Sequence, residues 1–498
     1  MGGEKGNQRK LEVGEPVARG LAFLLLSQGT FLACGYVIHV YLARRLGPLD
    51  YGIFGFIIAV LTWVEILAYG SSNLAVKYIQ SWPERFSTWK SLFFQAQCWI
   101  TAGLFSPLAG VAVVIGLLSG KYGFLFLIAF LDLLFIGFYQ LYLGYLNGFR
   151  LYRRQAAASI AYSVSKVCGM VVLVELGLGV RGALLGNIIS SLAGLLVGFL
   201  LFRPFGVAVS ISRLAPGEEG PGKTPVTEII RKSFIFALVP LMVNFVLNLD
   251  LWVVNFLRGG SEVGYYVSAG TLSRTVFFLF SAIFMATFPA IVSSFRTGTT
   301  SQRTRRLFGL CGDFFMVVAV PFALAIGVNG RQLVTLFYGE AYLPAGTTTS
   351  ILSLAMIFLT VFVFLIYVLY AAGEYRRAVR TLVYVVFLDI ITAPLLVLAA
   401  GIRGGAMATT VVSLAGFFLS YRSVKGKLTL WWDWRRAGKT TLLCCLSFLP
   451  LLLIPRDGLV FIPLSLVAFL VYYIVLFNAG IIERSEMEAA FKSVVLGI

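Results

Sequence analysis

Long apolar stretches follow one another along the chain, separated by short polar gaps, and positive charge collects in every second gap. Fourteen stretches are apolar enough to cross a bilayer, for which a helix needs ~20 such residues. They are 17–43, 52–70, 91–118, 122–146, 156–177, 182–202, 233–257, 263–292, 308–328, 350–372, 379–400, 404–421, 441–455 and 458–478. The pattern predicts an all-α polytopic membrane protein with 14 transmembrane helices.

The longest polar gap on the charged side, 203–232, holds Pro216, Gly217, Gly220, Pro221, Gly222 and Pro225 and reads as a flexible linker. It divides the chain into a tail (1–16), an N-lobe of six helices (17–202), the linker, a C-lobe of six helices (233–421), a basic loop (422–440), two further helices (441–478) and a second tail (479–498).

The two sets of six repeat each other. Arg181–Gly194 aligns with Arg403–Gly416 at an offset of 222, Tyr152-Arg153-Arg154 with Tyr375-Arg376-Arg377 at 223, and Gly47–Gly52 with Gly259–Gly264 at 212. Six crossings bring the chain back to its starting side, so the copies are parallel. Parallel repeats place a transport path between them. Gly182, Gly186, Ser190, Gly194 and Gly198 recur every four residues, a small-residue stripe for close helix packing in lipid.

Charge orients the chain. With the N-terminus inside, 29 of the 40 Lys and Arg residues face the cytoplasm, 8 face outward, and Arg19, Lys166 and Arg274 lie within spans. This positive-inside bias places both termini in the cytoplasm of a cell membrane and accounts for the net charge of +18 without nucleic acid. The basic loops are suited to anionic phospholipid. With 59% hydrophobic and 12% charged residues, the chain is far from the roughly 25% charge of soluble domains.

Little here belongs to cofactor or hydrolytic chemistry. The six cysteines (Cys34, Cys98, Cys168, Cys311, Cys444, Cys445) lie in apolar segments without a CxxC, and His39 is the sole histidine, so no metal site and no cofactor are expected. His39 reads as a packed side chain, with a proton switch as the alternative. Gly438-Lys439-Thr440-Thr441 resembles the end of a P-loop, but Asp433 stands where the first glycine should be and no strand precedes it. Trp431-Trp432-Asp433-Trp434-Arg435-Arg436 reads as an interfacial anchor. The run from Val17 to Leu42 is too long for a cleavable signal peptide.

Each charge inside a span costs roughly 2.5–3.5 kcal/mol on insertion scales and needs a reason. The candidates are Arg19, Glu65, Asp132, Lys166, Asp250, Arg274, Asp313 and Asp389, of which Arg19 and Asp313 lie near helix ends. Helical spacing puts Ser159, Tyr162, Ser163 and Lys166 on one face, Thr62, Glu65, Tyr69 and Asn73 on another, and Asn244, Asn248 and Asn255 in a stripe. Depth permits the ion pairs Asp132–Lys166 and Asp250–Arg274. If both form, Glu65 and Asp389 are left without partners as candidates for a coupling proton or Na⁺; Asp250 is a third.

Tyr41-Leu-Ala-Arg-Arg-Leu-Gly-Pro-Leu-Asp-Tyr-Gly52 resembles the hallmark of the polysaccharide-export flippases, of the superfamily that also holds lipid II flippases and multidrug and toxin extrusion transporters. Asn248-Leu-Asp250, Val263-Gly-Tyr-Tyr266 with Arg274, Pro289-Ala290 and Tyr338-Gly-Glu-Ala-Tyr342 extend the resemblance over nearly the whole chain. Asn73-Leu-Ala-Val-Lys77-Tyr departs from it, with Lys where the family often has Arg.

The resemblance implies two lobes in a V, with helices one, two, seven and eight lining a cavity. It implies an isoprenoid-diphosphate-linked oligosaccharide as cargo, flipped by alternating access, and envelope polysaccharide assembly proteins as partners. Arg19, Arg274, Lys166, Asn244, Asn248 and Asn255 are then the candidates for binding it. The alternatives are a proton- or Na⁺-coupled drug exporter and, less well supported, a membrane glycosyltransferase. The latter lacks an outer catalytic loop, since 329–349 carries only Arg331 and Glu340 as charges.

Overall fold

The computed structural model describes residues 17–83, 86–119, 121–211, 225–280, 309, 312–425, 434–452 and 458–480. These form helices and no strand. The helices are α1 (Val17–Ser81), α2 (Phe86–Ser119), α3 (Lys121–Leu131), α4 (Leu133–Gly148), α5 (Tyr152–Leu173), α6 (Gly179–Ile211), α7 (Val226–Leu257) and α8 (Gly260–Ser273). Then come α9 (Val320–Val328), α10 (Gly330–Tyr338), α11 (Ala345–Ala371), α12 (Tyr375–Lys425), α13 (Trp434–Phe448) and α14 (Phe461–Asn478).

Eight described helices are long and apolar enough to cross a membrane, or nine if the pair bent by 79° at Asn329 counts as one. The chain is therefore a multi-pass membrane protein. Three of those eight stretches hold about two crossings: α1, the continuous run of α5 and α6 over Tyr152–Arg203 (52 residues), and α12. At ~1.5 Å rise per residue against a ~30 Å hydrocarbon core, the 65 residues of α1 and the 51 of α12 each hold more than one span's length. α1 breaks at Gly47, α12 at Ala400 and Gly401.

The breaks come in matched pairs. Gly47 (φ 75°, ψ 173°) has nearly the backbone conformation of Gly259 (φ 66°, ψ −166°), 212 residues later. Gly179 (φ 52°, ψ −131°) matches Gly401 (φ 59°, ψ −138°), 222 residues later. Positive φ favours glycine because it has no Cβ.

Helices reach further than the hydropathy spans. α1 runs on to Ser81, and α6 and α7 extend to Ile211 and from Val226, so much of 203–232 is helical. Gly438–Thr441 lies inside α13. The tails 1–16 and 481–498, the linker centre 212–224, Pro289-Ala290, Cys311 and Trp431–Asp433 lie outside the described residues.

One seam positions everything that follows. The second half of α1 tracks α7 along most of its length. Trp63 packs on Phe245 and Trp252, with ring centroids 6.0 and 5.5 Å away, and its Nε1 donates to the Leu241 carbonyl at 3.3 Å. Nearer the Ser81 end, Lys77 lies over the Phe236 ring and Lys232 donates to the Tyr78 hydroxyl at 3.1 Å.

The first half of α1 behaves differently. Tyr36 bonds Thr275 of the segment following α8 at 2.5 Å. Towards the N-terminus from there, Leu26 and Phe31 are 60% and 43% exposed, and Gly29 and Gly35 have no atom near the place of a side chain. One flank of the seam is zipped and the other has an uncovered edge.

Candidate functional site

Three polar groups interrupt the apolar interior near the seam. The first lies on α7 and at the end of α8. Asn248 donates to the Asn244 side-chain oxygen at 2.9 Å, one helical turn away. Arg274 donates to Asn248 Oδ1 at 3.2 Å and to the Leu247 carbonyl. A cation is thus hydrogen-bonded by neutral oxygens, and it also acts electrostatically on the buried Asp250 carboxylate. Asn255, expected in the same stripe, takes no part. Arg19 lies in the first turn of α1, its side chain outside the described residues.

The second group surrounds Asp250 on α7, which is 4% exposed. Its Oδ2 accepts from Tyr266 of α8 and from Thr409 of α12, both at 2.6 Å, and its Oδ1 from the Leu251 amide at 2.7 Å. Asp389 of α12, 1% exposed, acts electrostatically on it, and its Oδ2 is buried without a hydrogen-bond partner.

The third group lies across the seam. Glu65 Oε2 accepts from Tyr69 at 2.7 Å, and Asp132 Oδ2 from Asn187 of α6 at 2.9 Å. The Lys166 ammonium of α5 sits 5.6 Å from the centre of the Tyr162 ring and acts on both carboxylates.

Neither expected ion pair closes among the described residues. Asp250 is saturated by three donors of its own, while Arg274 turns back to α7 one turn earlier. Asp132 is held by Asn187, and Lys166 forms no ion pair with either acid, acting on both only electrostatically. Glu65, expected to lack a partner, has Tyr69. Asp389 is the acid left unbonded.

His39 is packed: its Nδ1 and the Tyr51 hydroxyl lie 2.9 Å apart. Asn187, Ser191, Tyr266, Thr409 and Ser413 escaped the search for charged residues. The offset of 222 does pair Asn187 with Thr409 and Ser191 with Ser413, so the signal was present in the aligned segments Arg181–Gly194 and Arg403–Gly416.

Beyond these groups, the end of the seam that carries Gly47 is closed. Arg44 reaches the carbonyls of Leu336 and Phe337 at the end of α10, and Tyr342 donates to the Ala43 carbonyl at 2.9 Å. Tyr51, Tyr338 and Tyr342 form one aromatic cluster behind them.

The fold is shared with known transporters. A structure of the lipid II flippase MurJ in an inward closed conformation matches with a TM-score of 0.70, 15% identity, 92% of this chain and 99% of that one. The eukaryotic MATE transporter AtDTX14 matches at 0.60, with 16% identity, 86% of this chain and 98% of that one. In sequence, the probable flippase AglR of Haloferax volcanii is 24% identical over 422 residues, 82% of this chain and 83% of that protein. A sequence profile for polysaccharide biosynthesis proteins matches residues 17–295, more than half of the chain, and the chain belongs to that family.

Proposed function

We propose that the protein is a flippase that carries isoprenoid-diphosphate-linked oligosaccharide from the inner to the outer leaflet of the cell membrane, with both termini in the cytoplasm. The observation that carries this reading is the seam: an Arg274 bonded to neutral oxygens and in no ion pair among the described residues, a closed Gly47 end, and an α1 edge left uncovered. The chain's family, the probable flippase AglR and the lipid II flippase MurJ support the same reading.

The chemistry suits this cargo. A sugar-diphosphate head cannot cross hydrocarbon unaided, because each unsatisfied polar group costs several kcal/mol there. Its isoprenoid tail stays in lipid throughout. The uncovered α1 edge is where the tail would stay outside while the head lies near Arg274, Asn244 and Asn248.

The lobes are 17–202 and 233–421, and the matched bends at Gly47/Gly259 and Gly179/Gly401 support reading them as parallel repeats. Rocking one against the other opens the Gly47 end outward. An inside-negative potential favours outward movement of two negative charges by about 4.6 kcal/mol at ~100 mV. Asp250 and Asp389 are the place for a coupling proton or Na⁺. Envelope polysaccharide assembly proteins are the expected partners.

Reconstitution tests the reading. Vesicles containing the protein should move lipid-diphosphate oligosaccharide to the leaflet where an added glycosidase can reach it, and should not expel organic cations. Cation export without oligosaccharide movement would instead assign the protein to drug efflux, the function of the more distant MATE-like fold neighbour.

A further inference from the structure

Two turns between helices, one in each lobe, end a helix in the same way. After α4, the Arg150 amide donates to the Asn147 carbonyl at 2.9 Å and the Leu151 amide to the Leu146 carbonyl at 2.8 Å. After α11, at the offset of 223, the Gly373 amide donates to the Tyr370 carbonyl at 3.2 Å and the Glu374 amide to the Leu369 carbonyl at 2.9 Å. Such a helix end needs one residue at positive φ, a place that glycine usually fills. Gly373 fills it in the C-lobe with φ 78°. Arg150 fills it in the N-lobe with φ 57°, and it is the one non-glycine residue at positive φ among the described residues. A Cβ makes that conformation costly. One lobe uses glycine here and the other keeps an arginine under strain, which points to a function for the side chain.

The exchange also changes charge. Arg150-Leu-Tyr-Arg-Arg154 carries three cations and no acid, and Gly373-Glu-Tyr-Arg-Arg377 two cations and one acid. In the C-lobe turn, Glu374 takes Arg377 at 3.3 Å. In the N-lobe turn, Arg154 donates to the Leu201 carbonyl at 3.1 Å. Arg150 and Arg153 are exposed, and their side chains make no hydrogen bond or ion pair among the described residues.

Their position relates them to a ligand. Tyr152, which lies between them in the chain, packs on Gly20 of α1, where an added Cβ would strike its ring. Leu26, 60% exposed and part of the uncovered edge, is six residues further on, ~9 Å along the helix. The two arginines therefore stand at the foot of the edge along which, in the flippase reading, the isoprenoid tail stays outside. A guanidinium forks onto phosphate oxygens. Bulk anionic phospholipid would reach both turns and ask the same of each. Only the turn beside the uncovered edge has arginine in place of glycine.

We propose that Arg150 and Arg153 form an entry site for the diphosphate of the lipid-linked cargo, occupied at the inner-leaflet surface before the head reaches Arg274. The proposal rests on the flippase reading for the cargo and for the side of the membrane, but the site is tested without transport.

The test is binding of farnesyl diphosphate, an isoprenoid diphosphate without sugar, to the full chain in phosphatidylcholine nanodiscs, with melting measured on the same samples. Arg150→Gly should bind at least fivefold more weakly and melt roughly 1–3 °C higher, because it loses the charge and the strain together. Arg150→Asn, which tolerates positive φ without a charge, should do the same. Arg153→Gln should weaken binding, and its C-lobe counterpart Arg376→Gln should not. The loss should persist in an Arg274→Gln background, which separates the foot of α1 from the interior cation.

Full-strength binding by Arg150→Gly, a melting temperature that falls, or no binding by the unmutated protein overturns the proposal. So does a difference between Arg150→Gly and the unmutated protein that disappears when phosphatidylglycerol is added to the nanodisc, since the arginines then hold bulk phospholipid. If Arg150 governs farnesyl diphosphate binding but the unmutated protein flips no oligosaccharide, the flippase reading fails and the entry site stands.

Discussion

Arg44 donates from Nε to the Phe337 carbonyl at 2.7 Å and from Nη2 to the Leu336 carbonyl at 2.6 Å, so one guanidinium from α1 caps the last turn of α10. The last carbonyls of a helix lack intrahelical donors, and a cation there also suits the helix dipole. Two of the segments that bear the family resemblance, Tyr41–Gly52 and Tyr338–Tyr342, are in contact beside it, through the Tyr342 hydroxyl donating to the Ala43 carbonyl.

Arg44→Ala is expected to loosen this end. Two solvent-exposed bonds of this kind are worth about 1 kcal/mol net, roughly fivefold in a two-state equilibrium. A cysteine placed at Gly270, where a side chain meets open space, reports the change. Its labelling by an impermeant maleimide from outside should speed up about fivefold in Arg44→Ala. Arg44→Lys should fall between, because an ammonium cannot fork to two carbonyls. Unchanged labelling would show that the Gly47 end is held by its aromatic cluster alone.

The two acids of the second polar group should respond to mutation in opposite directions. Asp250→Ala strands the Tyr266 and Thr409 hydroxyls and the Leu251 amide in a buried place, and is expected to cost about 3 kcal/mol. Asp389→Asn removes a buried charge that has no bonded partner, so it should leave stability unchanged or raise it. It should still abolish any Na⁺ dependence of transport. Chemical unfolding of the two variants in detergent, beside the unmutated protein, measures the contrast.

The sequence carried the all-helical, multi-pass character and the spacing of the glycine bends, because hydropathy and glycine bends are local properties. Glycine at 47 and 259, and at 179 and 401, is needed where the backbone turns to positive φ, and those positions read directly as offsets of 212 and 222. Contacts within a helix were legible for the same reason. Glu65 with Tyr69 and Asn244 with Asn248 are four residues apart. Contacts between helices were not. Depth alone matched Asp132 with Lys166 and Asp250 with Arg274, but bonding also depends on how each helix is rotated. Rotation gave Asp132 to Asn187 and Asp250 to Tyr266 and Thr409. Uncharged side chains made those choices, and a search confined to charges passes over them.

Gly52 and Gly264 set how closely α1 approaches α8. A Cβ built at Gly52 would sit 2.6 Å from the amide nitrogen of Gly264 and 3.1 Å from Val263 Cβ. Backbone cannot yield as a flexible side chain does, so Gly52→Val should force the two helices apart at a cost of 1–3 kcal/mol, about what overpacking a core costs. The protein should still insert and reach normal levels if the lobes part at the Gly47 end during transport, which relieves the clash. Transport should drop with faster external labelling at the Gly270 position. Loss of expression instead would mean that this contact is needed for folding itself.

Arg274 separates binding from architecture. Its guanidinium bonds Asn248 and the Leu247 carbonyl and forms no ion pair among the described residues, and its positive charge suits it to the anionic head group under the flippase reading. Arg274→Gln should lose that charge with little loss of stability, because the remaining amide can still meet neutral oxygens. Oligosaccharide carried on a diphosphate should then need at least tenfold more substrate for half-maximal flipping, a loss of about 1.4 kcal/mol. Arg274→Lys keeps the charge but not the fork and should lose less. The comparison that decides is a lipid-linked sugar on a monophosphate. With one phosphate fewer for the guanidinium to grip, the penalty of Arg274→Gln should shrink. An equal penalty on both carriers would mean that Arg274 holds α7 to α8 rather than the head group.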